Sequence, residues 1–131
     1  MAGVLSAGLA VWRRLADDRL LTATVTRVFP VVADEATLPY VAYRRVGLDQ
    51  RPVKALRDGT RHPCDTARIE VAVCSAGYEE GVRIAERIRE RLDGCEWSAA
   101  GLNVRSCTLV DASEEWNEDC FVQTLVFEVR I

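Results

Sequence analysis

The pattern of hydrophobic and polar residues changes period within residues 66–94. From residue 67 to 74 the two kinds alternate, which predicts a strand with one buried face. That face consists of Ile69, Val71 and Val73. From residue 78 to 92 the apolar residues recur at helical spacing, and Gly94 follows where a left-handed residue commonly ends a helix. Because only three residues separate the two elements, we expect the helix to fold back over the apolar face of the strand.

The other segments supply a second helix and further strands. Residues 3–16 predict a helix, and its apolar stripe consists of Leu5, Leu9, Trp12 and Leu15. Residues 27–33 are apolar but contain Pro30, which favours an edge strand. Longer strands are predicted at residues 38–46, 67–74, 104–110 and 120–131. Together these elements predict an α+β fold, in which an antiparallel β-sheet of about four strands carries two helices packed on one face.

The connections between these elements are predicted to differ in character. Residues 47–65 form a long polar loop, and unstructured connections above about 12–15 residues are uncommon and usually functional or mobile. Residues 96–103 form a connection that carries Trp97, and residues 111–119 form an acidic hairpin loop around Trp116. A tryptophan on a loop exposes a large apolar area unless something covers it. Contact with another protein and packing within the chain are about equally good explanations for Trp116.

Composition narrows the class of protein. At 131 residues the chain is expected to be one domain, 1–131, since domains typically have ~100–200 residues. A net charge of −3 gives no general attraction to nucleic acid or to an anionic membrane. The N-terminus lacks a basic segment, and no apolar stretch approaches the ~18 residues that span a membrane. We therefore expect neither a signal peptide nor a membrane span.

The residues available for catalysis are few. The chain has one histidine, His62, next to Pro63 and Cys64, and it lacks the phosphate-binding, dinucleotide-binding and zinc-protease motifs. Cys64 activated by His62, or both joined to distant cysteines around zinc, would give an active or metal site, but the spacing matches no ligand pattern. Five cysteines without a C-x-x-C pair favour free thiols in a reducing compartment. We expect no catalytic residue, no cofactor and no metal.

Short signatures along the chain resemble one family. They are Leu15-x-x-Asp18-x-x-Leu21, Arg27-Val-Phe-Pro30, Leu38-Pro-Tyr-Val-Ala-Tyr43 and the terminal Phe127-Glu-Val-Arg130. With the alternating strand and the charged helix between them, this order resembles the small tail completion proteins of siphophages and gene transfer agents. The resemblance covers nearly the whole chain.

The resemblance implies a tail terminator. Such proteins form a ring, commonly hexameric, that caps the tail tube, stops its growth and presents a surface to the head–tail connector or stopper protein. The implied partners are further copies of the chain, the tail tube protein and the connector, with no membrane and no nucleic acid contact beyond passage of DNA through the ring. The implied location is the tail or neck of a virion assembled in the host cytoplasm, and the family carries no catalytic residues.

Other functions stay open at this point. One is a different head–tail joining or neck component of the same particle. The others are a monomeric bacterial adaptor and a small thiol-dependent enzyme that uses Cys64 and His62.

Two charged segments are candidates for the contact between copies. A ring needs a heterologous interface, in which one patch meets a different patch on the next copy. The basic candidates are Arg51, Lys54, Arg57 and Arg61, and the acidic ones are Glu114, Glu115 and Glu118 around Trp116. We predict that these groups face each other between copies and that Trp116 is the apolar anchor. The simpler alternative is that both segments are ordinary solvated loops.

Overall fold

The computed structural model describes residues 4–24, 28–30, 38–51, 64–99, 101–117 and 119–131. A 3-10 turn at Val4–Ser6 leads into the first helix. The helices are α1 (Ala7–Ala16), α2 (Arg19–Thr24) and α3 (Tyr78–Leu92). The strands are β1 (Val28–Pro30), β2 (Tyr40–Arg51), β3 (Cys64–Ser75), β4 (Trp97–Ala99), β5 (Leu102–Val104), β6 (Ser106–Asn117) and β7 (Cys120–Arg130).

The main sheet of the described residues has the order β1-β2-β3-β7-β6. Strands β2, β3, β7 and β6 are antiparallel neighbours, which confirms the predicted four-stranded antiparallel sheet and the α+β class. The short strand β1 adds a parallel edge beside the first residues of β2, where Pro30 is tolerated because the strand has no outer neighbour to donate to. Strands β4 and β5 pair only with each other.

The core lies between one face of this sheet and the helices. The alternation of β3 is confirmed, since Ile69, Val71 and Val73 are all fully buried. Helices α1 and α3 contribute to the same buried cluster, so both cover that face, as predicted. Helix α3 ends as expected at Gly94, whose φ is 73°. At its other end Gly81 permits close approach, because a Cβ there would lie 2.5 Å from the Ser75 Oγ.

The predicted apolar stripe of the first helix is right for Leu15, which is buried, and for Trp12, which packs against the core, but wrong for Leu5 and Leu9. Leu5 is 65% exposed and Leu9 is 51% exposed, so neither belongs to the core. The residues that face the sheet are Ala7, Ala10, Val11 and Leu15. These mostly small residues let the helix lie close to the sheet: a Cβ at Gly8 would lie in ordinary contact with the Tyr43 ring, at 3.5 Å. Leu5 and Leu9 are left on the outside.

Three predicted connections contain strand residues. The ends of the 47–65 loop belong to β2 and β3, and residues 111–117 extend β6 instead of forming a loop. Residues 96–103 contain the β4–β5 hairpin, and the 104–110 strand is divided at Arg105. The sequence pattern misses the strand at residues 111–117 because side chains on both of its faces are exposed, so no hydrophobic alternation marks it. Backbone pairing with β7 holds it.

A buried ion pair joins the α1–α2 corner to α3. The Arg87 guanidinium donates from Nε to Asp18 Oδ2 over 2.8 Å and from Nη2 to Asp18 Oδ1 over 3.0 Å. Asp18 Oδ1 also accepts the Leu20 backbone N–H at 3.0 Å and so caps the start of α2. Leu15 and Leu21 are buried on either side. The Leu15-x-x-Asp18-x-x-Leu21 signature therefore encodes one packed corner of the protein.

Candidate functional site

A bulge in β6 decides which side of the sheet Trp116 takes. Before the bulge, Cys107 and Leu109 lie opposite Val129 and Phe127 on the helix-covered face. The register shifts between Leu109 and Asp111, which adds one residue to β6. After that shift the even-numbered residues of β6 take the helix-covered side. Trp116 consequently stands on the same side of the sheet as the start of α3.

Trp116 belongs to a cluster of three aromatic rings. The hairpin register places it directly opposite Phe121, with ring centroids 4.6 Å apart and the planes inclined by 61°. Tyr78, the first residue of α3, meets the other side of Phe121 edge-on at 5.6 Å. Edge-to-face geometry of this kind stabilises aromatic pairs by about 0.5–1.5 kcal/mol beyond area burial. We call Tyr78, Trp116 and Phe121 the aromatic cluster.

The aromatic cluster remains open to solvent despite these contacts. Trp116 is 58% exposed and Tyr78 is 48% exposed. With Glu114 and Glu115 the three rings line a shallow recess of about 200 Å³. The sequence left packing and protein contact as equal alternatives for Trp116. In the structure it does pack on Phe121 and still presents most of its surface outward.

Glu114 fixes the position of the cluster. Its Oε2 accepts the Tyr78 hydroxyl at 2.8 Å and the Gln123 Nε2–H at 2.9 Å. The bond from Gln123 and then that from Tyr78 hold the pKa of Glu114 below its ordinary value, and the same carboxylate raises the pKa of Tyr78. At neutral pH the Glu114 carboxylate is therefore negatively charged and accepts a hydrogen bond from the Tyr78 hydroxyl. Because that hydroxyl is used within the site, the cluster exposes mainly apolar ring surface.

The predicted acidic residues separate between the two sides of the sheet. Glu114 lies beside Trp116, whereas Glu115 is opposite Val122, on the side away from the helices. Glu118 lies outside the described residues. Glu114 and Glu115 thus lie on strand β6 next to the aromatic cluster instead of in a loop.

The basic candidates lie mainly outside the described residues. Lys54, Arg57 and Arg61 are among these, as is His62. Arg51 is the last residue of β2 and pairs with Cys64 at the start of β3. This end of the sheet is remote from the β6–β7 turn, because Trp116 is level with Ser75, the last residue of β3. Arg51 and the acidic residues Glu114 and Glu115 are therefore carried at opposite ends of the same sheet.

Sequence reasoning missed Tyr78 and Phe121 as partners of Trp116. Tyr78 looked like the first residue of a helix and Phe121 like part of a core strand. The usable signal was the short separation of Trp116 and Phe121, which would pair them once residues 111–117 were recognised as strand. Tyr78 is 38 residues from Trp116 in the chain (116 − 78), so no local pattern joins them.

The described residues hold no cluster of three His, Cys, Asp or Glu side chains able to bind a metal ion. The four cysteines with a described environment have free thiols and pack as small apolar side chains: Cys74 and Cys107 are buried, and Cys95 and Cys120 are half-buried. None of the helices in the described ranges is long and apolar enough to cross a membrane.

Thiol labelling is expected to separate Cys107 from Cys95. Burial, followed by the charge of Asp93, raises the pKa of Cys107 to about 12, so almost no thiolate exists at pH 8. We expect a maleimide or disulfide reagent at pH 8 to modify Cys95 in the native protein and Cys107 only after unfolding. Peptide mass spectrometry, with Cys95→Ser as the control, reads out the order. Rapid native labelling of Cys107 would contradict its burial.

Comparisons with solved structures identify proteins that share this fold. A chain in the solved virion of a native gene transfer agent particle superposes with a TM-score of 0.73 at 19% identity, covering 98% of this chain and 98% of that chain. The structure of the bacteriophage SPP1 gp17 protein gives a TM-score of 0.62 at 16% identity, over 96% of this chain and 88% of that chain. At such low identities these two structures establish a shared fold.

The family comparison covers more than the fold. Among curated proteins, none matches the chain significantly. Residues 9–131, which include the α1–α2 corner, the main sheet and the aromatic cluster, match the family described as tail completion protein gp17. The chain therefore belongs to the gp17 family of tail completion proteins.

Proposed function

We propose that this chain is a tail terminator, which forms a ring that caps the tail tube and joins it to the head connector. Membership of a tail completion family gives it a structural role in a virion tail. The finer parts of the proposal are the ring itself, its copy number of six, and the tail tube and head connector as its partners. We also propose that residues 1–131 act as one domain without enzymatic activity or cofactor, and that assembly takes place in the host cytoplasm.

The observation that carries the proposal is the exposed aromatic cluster. Large aromatic side chains at a rigid position, surrounded by polar groups, are typical of the energetic centre of a protein interface. Here the rings sit on a paired hairpin and a helix start, and Glu114 holds one of them by a hydrogen bond. Such a surface would bind a partner with little loss of side-chain freedom.

The contact between copies uses charges of opposite sign in this proposal. Arg51, with Lys54, Arg57 and Arg61 beyond the described residues, would approach Glu114, Glu115 and Glu118 of the next copy. Exposed ion pairs contribute only ~0.2–1 kcal/mol each, so these charges set register and association rate more than affinity. Trp116 supplies the apolar contact that the charges lack.

Replacing Trp116 by alanine is expected to dissociate the ring while leaving the subunit folded. The purified chain, alone and with tail tubes, is measured by sedimentation velocity over a range of concentrations and by electron microscopy of tube ends. Val110→Ala is the matched control, because Val110 is another exposed apolar residue of β6 outside the cluster. We expect Val110→Ala to assemble like the wild type and raised salt to slow assembly without preventing it.

A charge exchange tests the residues of the contact. Reversing Glu115 and Glu118 avoids Glu114, which holds Tyr78 within the subunit. The reversal is expected to impair assembly, and reversing the basic residues in the same chain to restore part of it. A chain that stays monomeric with and without tubes would contradict the ring. A ring that binds the connector but not the tube would point to another neck component.

A further inference from the structure

The exposed leucines of the first helix form a second apolar surface, which we call the leucine stripe. It consists of Leu5 in the 3-10 turn and Leu9 in α1, four residues apart and both more than half exposed. The core does not use this side of α1, since Ala7, Ala10 and Val11 face the sheet. Two exposed leucines next to each other form an apolar area. Exposure of this area to water does not stabilise the isolated subunit.

We propose that the leucine stripe of one copy receives Trp116 of the next copy. This inference rests on the ring proposed above and names the surface against which its aromatic anchor packs. The occupant is a second copy of this chain, for reasons of charge and of position.

The charges around the two surfaces are opposite. Arg13 continues the line of Leu5 and Leu9 at the same four-residue spacing and is exposed. Arg45 of β2 reaches the stripe from the other side, where its Nη1 donates to the Leu5 carbonyl oxygen at 3.2 Å. Glu114 lies beside the aromatic cluster, and Glu115 follows it on the other side of the same edge strand. An apolar patch with a basic rim thus matches an apolar patch with an acidic rim.

The two surfaces also lie beside different strands of the main sheet. The leucine stripe is anchored beside β2, through Arg45, and the aromatic cluster is carried by β6. Between them lie β3 and β7. Two different patches can meet in a head-to-tail contact, and such a contact closes into a ring when each copy is rotated by a fixed angle. A symmetric dimer would have to form the same contact twice.

The leucine stripe is also consistent with the basic residues proposed for the contact. Arg45 and Arg51 belong to the same strand, so β2 carries both the rim of the stripe and the start of the basic segment. One edge of the subunit would provide leucines and arginines, and the other would provide aromatic rings and carboxylates. The apolar groups would then give affinity and the charges would give register.

A double-mutant cycle tests whether Leu9 and Trp116 meet. Association of the full-length chain is measured by sedimentation for the wild type, Leu9→Ala, Trp116→Ala and the double variant. We expect each single change to weaken association about tenfold or more, and the double variant to be weakened far less than the product of the two, because both remove the same contact. Leu20→Ala is the matched control, since Leu20 is 65% exposed, as Leu5 is, but lies on α2.

The outcomes separate this inference from the ring proposal. A coupled loss with normal assembly of Leu20→Ala supports the contact. If Trp116→Ala abolishes the ring while Leu9→Ala and Leu5→Ala assemble normally, or if the losses simply multiply, the leucine stripe is not the receptor and the ring proposal stands. If the wild type forms no ring even with tail tubes, the proposed function fails and this contact fails with it. Thermal unfolding of each variant as a monomer confirms that the exposed substitutions leave the fold intact.

Discussion

Val71→Asp is expected to yield no soluble folded protein. Val71 lies at the centre of β3, between Tyr43 of β2 and Leu125 of β7, and it is fully buried under the helices. An aspartate there would have to bury a charge without a partner or take up a proton and still bury its polar atoms unpaired. Either way the cost is several kcal/mol, compared with a total stability of about 5–15 kcal/mol for a domain.

The control for this substitution is Arg68→Asp. It introduces the same side chain in the same strand but at an exposed position opposite Glu128. Surface substitutions of this kind change stability by about 0.5 kcal/mol, with a modest addition for the nearby like charge. Soluble expression, far-UV circular dichroism and thermal unfolding compare the two variants. A folded Val71→Asp protein with a near-normal melting temperature would show that the assignment of the buried face is wrong.

The strand–helix unit could be predicted from the sequence because its pattern is local. Alternation in β3 and helical spacing in α3 each follow from residues within one element, and the helix bounds Tyr78–Leu92 are those the pattern predicts. The first helix was located but its face was assigned wrongly. Hydrophobicity favours Leu5 and Leu9, whereas close packing on the sheet favours alanine and glycine, which contribute little to a hydrophobic pattern.

The candidate site was only partly predictable for a different reason. Trp116 stands out in the sequence because it lies among acidic residues, but its surroundings depend on the bulge in β6 and on the arrival of α3. A single extra residue moves every following side chain to the other face of the sheet. Polar strands such as β6 give no alternation from which that shift could be read. The contact of Phe121 with Tyr78 is likewise a product of the tertiary fold.

Removing the buried carboxylate of Asp18 is expected to have the next largest effect. The side chain of Asp18 is 3% exposed and that of Arg87 is 35% exposed, so the pair lies at the edge of the core. In Asp18→Ala the guanidinium loses its buried partner and keeps the exposed Glu90, and α2 loses its cap. We expect the free energy of unfolding to fall by about 3 kcal/mol, and the melting temperature by roughly 10 °C.

The matched control is the neighbouring Asp17→Ala. Asp17 is exposed at the end of α1, where a negative charge is not favoured by the helix dipole, so its loss should change stability by no more than about 0.5 kcal/mol. Asp18→Asn should fall between the two. It keeps an oxygen that can cap α2 but loses the charge that holds Arg87. Equal stability of the Asp17 and Asp18 variants would refute a structural role for the pair.

The pH dependence gives an independent measurement on the same pair. Burial opposes ionisation of Asp18, but the Arg87 hydrogen bond, the Leu21 N–H and the charge of Arg87 outweigh it, so the pKa of Asp18 lies below its ordinary value of 3.8. A carboxyl whose pKa is lower in the folded state stabilises the protein fully above its unfolded pKa, and that stabilisation disappears as the pH falls through the folded pKa. The stability difference between the wild type and Asp18→Asn, measured by urea unfolding, should therefore be constant from about pH 6 to 8 and shrink below about pH 4. If the stability difference between the two proteins grew as the pH fell, the folded state would favour the protonated form of Asp18.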